Sequence, residues 1–594
     1  MTDRRKKPVK SAAPVLKERE RAARPDPTPI ILASGLEAGQ VDAILRSYGL
    51  CRIQEADANL QLMAGDPHQR RQLADILPGL LDAIGRTADP DQALNHWERW
   101  LDSGVSRSAI LEYLGSSPRM LDLVCSIFGN SDSLAFTLVR DPLLVYWLAE
   151  QHVLSTAPTR EGMERMVQQQ VGRVLATELK LDALRRFRRR EMLRIGVRDL
   201  LRLADVVETT ASLSDLASIL IDEAYRIVDA DLRAQYGIPS HKNRQGRWVE
   251  TGFTVIGMGK LGGHELNYSS DVDVLYVCES HEGETRQAQS RRAKPKGPAQ
   301  GGISNEEYFE RLARDLTKVL TEQTHEGFVY RVDLRLRAEG SVGQLTRSLD
   351  DYAKYYRTRG QVWERLSLLK AWPVAGSMKV GKAFIKMVQP FVLAPSLKRL
   401  DVEQGLAIVK EVRSVKEKID AKMAERGYEQ RNVKLGVGGI REIEFFVQTI
   451  QVLAGKRVPA LLDRSTLGTL DRFVRLKLIS DKERDALTAA YVFLRDVEHK
   501  LQMVHDLQTH SLPDQEDELE RCAIRMGYDG ADRLAALEQF QADHTAHRTL
   551  VHDIFRSFFD SPKTSPHFKT TLRVMGASPS TRAAESRKTP RKIR

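Results

Sequence analysis

The stretch GFTVIGMGKLGGHELNYSSDVDVLYV, residues 252–277, decides how this chain is read. Phe253, Val255 and Ile256 open it as a short β-rich run, and VDVLYV (272–277) resumes as a second strand. Between them lie Gly257, Gly259, Gly262 and Gly263. The first three fit the GxGxxG spacing of a dinucleotide-binding turn. That turn must open a crossover helix within a unit of about 30 residues. Only His264–Ser270 separate the glycines from the next strand, so no crossover can form and the nicotinamide reading fails. No Gly-Lys-Ser/Thr follows, which excludes a Walker A loop.

The second strand carries the chemistry. Asp271 and Asp273 are two apart, so both carboxylates project from one face while Val272 and Val274 project from the other. Two like charges this close repel unless a cation sits between them. Hard oxygen ligands of this kind suit Mg²⁺, bound through carboxylates and substrate phosphates. The Gly262–Gly263 backbone can approach a phosphate closely, Ser269 and Ser270 add hydroxyl donors, and Lys260 adds a cation. VYRVDLRLR (329–337) reads as a third strand, with Arg331, Asp333, Arg335 and Arg337 on one face and Val332, Leu334 and Leu336 on the other. Asp333 is then either a third metal ligand beside phosphate-binding Arg335 and Arg337, or part of a plain salt-bridged strand. The first alternative makes a two-metal site.

Outward from this centre the pattern is helical, from about 30 to 245 and again from about 345 to 560, with apolar residues every three or four positions. Ser106, Ser116, Ser117 and Ser133 stand where N-caps are expected. In RRFRRREMLRIGVRDLLRLADVV (185–207) the arginines are expected to face solvent or acidic neighbours. Residues 280–304 are polar and aperiodic and read as a mobile loop. The net charge of +11 resides at the ends: +5 on residues 1–28 and +8 on 561–594, which leaves a net −2 on the body. A basic folded face for nucleic acid is therefore not indicated, and both ends read as disordered tails. Cys51, Cys125, Cys278 and Cys522 lie far apart with no CxxC pair, against a zinc or disulfide framework. No apolar run approaches about 18 residues, and the basic start has no apolar core of a secretory signal. A cytoplasmic protein without a membrane partner is expected.

Longer strings carry a resemblance. Gly-Gly, Asp-Val-Asp and a later strand aspartate resemble the nucleotidyltransferase superfamily of DNA polymerase β type. GMGKLGGHELNYSSDVDVLY (257–276), VYRVDLRLRAEGSVGQL (329–345), YYRTRGQVWERLSLLKAWPVAG (355–376), VKLGVGGIREIEFFVQ (433–448) and FLRDVEHKLQMVHDLQTHSLP (493–513) are similar to the glutamine synthetase adenylyltransferase and adenylyl-removing family. The resemblance runs from about 100 to 530. It implies that Asp271, Asp273 and Asp333 are catalytic metal ligands and that Gly262, Gly263 and Ser270 hold phosphate. It also implies that Arg441 and Glu444 face the nucleotide from the next domain. Only one Asp-x-Asp unit is present, and GGIREIEF (438–445) is similar to the amino-terminal, adenylyl-removing half. Ala338 stands where the family usually has proline, and Trp372 where it usually has arginine.

The expectation is an α+β protein with a polymerase-β-like nucleotidyltransferase core built on a small mixed sheet. Its segments are a basic tail (1–28), a helical region (29–245), the core with its mobile loop (246–395), a helical bundle (396–560) and a second basic tail (561–594). By resemblance, it is a Mg²⁺-dependent enzyme that removes AMP from, or adds it to, a tyrosine of glutamine synthetase. Removal by phosphorolysis is the favoured direction. ATP, ADP and phosphate are the small partners, and a PII-type signal protein is the implied regulator. The rivals are another protein- or RNA-directed nucleotidyltransferase and a non-catalytic glutamine-synthetase-binding regulator. His499, His505 and His510, with His552-Asp553, are read as structural rather than as a phosphohydrolase metal set.

Overall fold

The computed structural model describes residues 24–574 except 34, 287–301, 394–401, 426, 429 and 531. The chain divides into two compact units, one ending at Gly129 and the other starting at Asn130. The first is helical around Trp97 and Trp100, which are fully buried and meet edge-on at 5.4 Å. Ser106 caps the helix Arg107–Ser116 as expected, by accepting from the Ala109 N–H. Residues 24–28 are not loose: Pro27 is buried, and the helix Thr28–Leu32 buries Ile30 and Ile31. The rest of that expected tail lies outside the described residues.

In the second unit the helix Asp132–Arg140 is capped by Ser131, not Ser133. Two long helices follow, Thr177–Leu200 and Val206–Tyr236. The arginines of the first do not all face solvent. Arg185, Arg194 and Arg198 are buried. Arg194 donates to the carbonyls of Val153 (2.8 Å) and Thr156 (2.9 Å), and Arg198 donates to Leu154 O and to Glu208. The guanidinium satisfies several acceptors at once, so it can serve orphaned helix-end carbonyls inside the fold.

The strands start at Ile238, ahead of the expected 246: β1 Ile238–Lys242, β2 Trp248–Glu250, β3 Phe253–Gly257, β4 Val272–Cys278, β5 Glu284–Arg286, β6 Val332–Asp333, β7 Thr346–Ser348 and β8 Trp372–Gly376. One sheet has the order β2-β1-β5 and is antiparallel. The other is mixed. β4 and β8 flank β3 antiparallel, and β6 and β7 both run parallel to β4 along its other edge. β5 falls inside the expected mobile loop 280–304, and the Thr285 N–H donates to Ile303 O at 2.8 Å, so the ends of that loop are ordered. Its centre, 287–301, lies outside the described residues. The antiparallel β3–β4 pair, joined through the short helix Gly259–Gly262, accounts for the absent dinucleotide crossover. The third strand is far shorter than 329–337. After Asp333 the chain turns, because the Asp333 carboxylate accepts the Arg335 backbone N–H (2.8 Å) and closes an Asx turn.

The helical part from Val402 to Val574 packs around Ile443, Phe446, Ile450, Leu494 and Phe558. Two helices matter for the site: Ile440–Ala454, with an apolar stripe as expected, and Asp481–His505. The expected disorder of 561–594 is wrong over 561–574. The helix Pro566–Val574 buries Phe568 and Thr571 and leans Leu572 on the same core. Phe568 and Leu572, four apart, form one apolar face, and that is enough to dock the segment. Residues 575–594 lie outside the described residues. No described helix is long and apolar enough to cross a membrane. The four cysteines are free.

Phe568→Ala is expected to destabilise the chain by about 3–5 kcal/mol, the cost of deleting a fully buried aromatic ring. Urea unfolding followed by circular dichroism measures it, and a loss below about 1 kcal/mol would mean that this helix does not belong to the core.

Candidate functional site

A cavity of about 510 Å³ opens beside the end of β4. Asp271, Asp273 and Ser270 reach it from β4 and the residues before it, Asp333 from β6, and Arg335 from the turn that follows. Opposite them stand Lys434, Arg441, Glu444 and Gln448, from the start of the helix Ile440–Ala454 and the loop before it. Asp273 and Asp333 are register partners in the parallel β4–β6 pair, so the backbone places these two carboxylates side by side. The glycine that makes room is Gly259. Its φ is +51°, and a methyl there would lie 2.6 Å from Asp273 Oδ2.

The three carboxylates differ in their partners. Asp271 accepts from Arg331 Nε at 2.8 Å. Asp333 is gripped by Arg335 through Nε (2.9 Å) and a second guanidinium nitrogen (2.5 Å). The Arg335 hydrogen bonds hold Asp333 below its ordinary value although burial works against them. No hydrogen bond or ion pair holds the Asp273 carboxylate among the described residues. Burial, then Asp333 and Asp271, push its carboxyl up to about 6. Among the described residues no three His, Cys, Asp or Glu side chains are grouped as a ready metal cage, although Asp271, Asp273 and Asp333 line the same cavity. Two of the three are neutralised by neighbouring arginines, Asp271 by Arg331 and Asp333 by Arg335. The donors still fit a hard divalent cation: they are all carboxylate oxygens, and the central one carries an uncompensated charge that such a cation would relieve.

The other expected residues divide. Lys260 lines the cavity, but its Nζ lies 2.7 Å from Glu498 Oε1. Gly262 and Gly263 do not line the cavity. At Gly262 a methyl would sit 2.0 Å from Lys370 O and 2.4 Å from Gly257 O, so the pair serves close backbone packing rather than phosphate approach. Ser269 is turned inward: its Oγ donates to Asp506 O (2.7 Å) and accepts from Arg331 (2.9 Å). Arg337 is spent on the carbonyls of Leu334, Ser341 and Gly343, because the chain has left the extended path that would have aligned it with Asp333. Arg441 and Glu444 do meet the aspartates, paired to each other at 3.0 Å. Trp372 faces a separate, mainly apolar cavity of about 350 Å³ with Arg464 stacked on its ring at 4.3 Å, and Ala338 is fully buried. Neither departure touches the carboxylate cavity.

Sequence reasoning missed Lys434, Lys370 and Glu265. Lys370 Nζ bridges Glu265 Oε2 (2.7 Å) and Glu444 Oε1 (2.8 Å), all three buried. Burial alone would lower the Lys370 ammonium, but the two carboxylates hold it above its ordinary value. Glu265 also accepts the Thr466 N–H at 2.6 Å. A second knot forms on Glu498, which meets Lys260 and His510 (2.8 Å). Burial opposes the Glu498 charge, but the cations around it keep the carboxyl well below its usual range. The signal for this network was a run of polar residues at three- and four-residue spacing, Arg495, Glu498, His499 and Gln502, all of them buried. His499 is pushed down to about 3, chiefly by burial, and is structural as expected.

Residues 121–387 match the family model described as glutamate–ammonia ligase adenylyltransferase. Residues 413–559 match that of GlnD PII-uridylyltransferase. The chain is similar to proteins named bifunctional glutamine synthetase adenylyltransferase/adenylyl-removing enzyme. The one from Nitrosococcus oceani is 36% identical over 449 residues, 75% of this chain and 43% of the relative. The one from Xanthobacter autotrophicus is 38% identical over 381 residues, 63% of this chain and 36% of the relative. The chain thus spans less than half the length of these relatives.

Two outcomes are expected. A carboxyl raised in the folded state binds its proton more tightly there than when unfolded, so its charge costs stability. For Asp273 that cost begins above 3.8 and is complete above about 6. In metal-free buffer Asp273→Asn should therefore raise unfolding free energy on the order of 2 kcal/mol at pH 8 and change nothing below pH 4; equal stabilities at pH 8 would remove the repulsion. Lys370→Met leaves two buried carboxylates facing each other and is expected to lose about 3–5 kcal/mol in urea unfolding.

Proposed function

We propose, starting from the match of residues 121–387 to the glutamate–ammonia ligase adenylyltransferase family model, that this chain moves AMP off a tyrosine of glutamine synthetase. The observation that carries the reading is the cavity in which Asp271, Asp273 and Asp333 face Arg441 across an open space. Carboxylates on one wall and cations on the other suit a nucleotide phosphate with a divalent cation. In this reading the five-stranded sheet is a nucleotidyltransferase core of polymerase β type.

Asp271, Asp273 and Asp333 would hold Mg²⁺, which supplies neutralisation of phosphate charge. In removal, an oxygen of inorganic phosphate forms a bond to the adenylyl phosphorus, the bond from phosphorus to the tyrosine oxygen breaks, that oxygen takes a proton, and ADP leaves. In addition, the tyrosine oxygen gives up its proton and bonds to the α-phosphorus of ATP, the bond from that phosphorus to the bridging oxygen of the β-phosphate breaks, and pyrophosphate leaves. The side chains act by positioning and by charge. Arg335 is 79% exposed and, among the described residues, bound only to Asp333, so it is free to turn to a phosphate when a cation takes its place. Arg441 is braced by Glu444, and Glu444 by Lys370, so its guanidinium is held facing the aspartates. The removing direction rests on GGIREIEF (438–445), which brings Arg441 to the cavity. A PII-type signal protein is the proposed regulator.

The test is incubation of adenylylated glutamine synthetase with the chain, Mg²⁺ and phosphate. ADP is expected, with activity at least a hundred-fold lower in Asp271→Asn and Asp273→Asn. Labelling of the unmodified enzyme from ATP without any phosphate-dependent ADP would reverse the direction. Labelling of a signal protein from UTP would replace the substrate, an outcome kept in view by the match over residues 413–559.

A further inference from the structure

Two cationic side chains in the carboxylate cavity, Lys434 and Arg441, keep donors to spare. Lys434 lines the cavity, and none of the described residues hydrogen-bonds its ammonium or pairs with it. Arg441 spends one terminal nitrogen on Glu444, while its Nε is buried with no hydrogen-bond partner. An unpaired buried donor is costly, and a cation without a counter-ion more so. An unpaired ammonium on Lys434 and an unsatisfied Nε on Arg441, both against one open space, leave a gap in the hydrogen bonding that an anion would fill.

The backbone fixes both residues in one closed loop. Asn432 Oδ1 accepts the N–H groups of Lys434 (3.1 Å) and Leu435 (2.7 Å). Lys434 O accepts the Arg441 N–H at 2.9 Å, and Val433 O accepts that of Ile440 at 3.0 Å. The loop between them needs glycine: Gly438 has φ +69°, and a methyl there would lie 2.1 Å from Arg548 O. These bonds consume the first N–H groups of the helix Ile440–Ala454, so an anion at this wall is held by side chains and not by the helix end.

We infer that Lys434 and Arg441 form the subsite for the phosphate that lies opposite the tyrosine oxygen during transfer. This rests on the nucleotidyl-transfer reading of the same cavity. An ammonium and a guanidinium suit a tetrahedral dianion, because its several oxygens accept from both at once. The shared chemistry is a phosphate group, which is inorganic phosphate in removal and the polyphosphate of ATP in addition. Burial, with the neighbouring Arg441 cation, lowers the Lys434 ammonium, and the Glu498, Glu444 and Asp273 charges offset only part of that.

The experiment uses the full chain with Lys434→Met, which keeps length and removes charge, and Lys434→Arg, which keeps charge. With adenylylated glutamine synthetase and Mg²⁺, the KM for inorganic phosphate is expected to rise about ten- to a hundred-fold in Lys434→Met. The KM for the adenylylated protein should stay within twofold, and Lys434→Arg should recover part of the loss. Thermal unfolding with inorganic phosphate or ATP as the added probe gives a readout without turnover: the wild-type Tm rises and the Lys434→Met Tm does not. A shift with one anion only identifies which source occupies the subsite. Where wild type makes no ADP but shows a shift that Lys434→Met abolishes, the anion subsite stands and the reaction reading falls. ADP formation with an unchanged phosphate KM in Lys434→Met overturns the inference and leaves the reaction reading intact. Absence of any wild-type shift with either anion also overturns it.

Discussion

The ammonium of Lys370, held between Glu265 and Glu444, is the contact on which the candidate site depends. Glu265 lies in the loop between β3 and β4, Lys370 just before β8, and Glu444 on the helix Ile440–Ala454. One buried charge thus ties both flanks of the sheet to the helical bundle. A buried ion pair contributes little net stability over a well-packed apolar substitute, yet removing one partner is severe. Its value here is registration. The pairs leave the helix Ile440–Ala454 no freedom to slide, and Arg441 and Gln448 are set against Asp273 and Asp333 as a result.

The second knot repeats the device. Glu498 gathers Lys260 from the glycine turn and His510 from the loop after the helix Asp481–His505. Arg495, fully buried, reaches the carbonyl of Glu265 and the side chain of Asn267. The segment between the two strands is therefore clamped by the bundle along its length. That clamping explains why Lys260, Ser269 and the Gly262–Gly263 pair serve architecture. A cation or hydroxyl committed to a buried partner would have to give up that bond to meet a phosphate.

The arrangement of charge across the cavity follows. The sheet supplies carboxylates, of which Asp271 and Asp333 are neutralised by arginines and Asp273 is not. The bundle supplies Arg441 and Lys434 with donors to spare. An asymmetric cavity of this kind accepts a cation on one wall and a phosphate on the other, and neither the sheet nor the bundle would form it alone.

The aspartate pair was legible in the residues because a period of two puts Asp271 and Asp273 on one face whatever surrounds the strand. The failure of a dinucleotide fold was legible too, since seven residues cannot make a crossover. So was the alternation of helical and strand-bearing segments, which needs only local periodicity. What the linear pattern could not supply was anything that depends on a partner distant in sequence. Arg335 and Arg337 looked equivalent on an extended strand, but an Asx turn at Asp333 sent one to the cavity and the other to loop carbonyls. The tail at 561–574 looked basic and loose, but Phe568 joined a core that includes Phe446, more than a hundred residues earlier, as well as Phe558. Lys434, Lys370 and Glu265 are ordinary charged residues in the sequence. Only the tertiary fold, by removing water and bringing their charges within 3 Å or leaving them unpaired, decided which of them hold the protein together and which faces an open site.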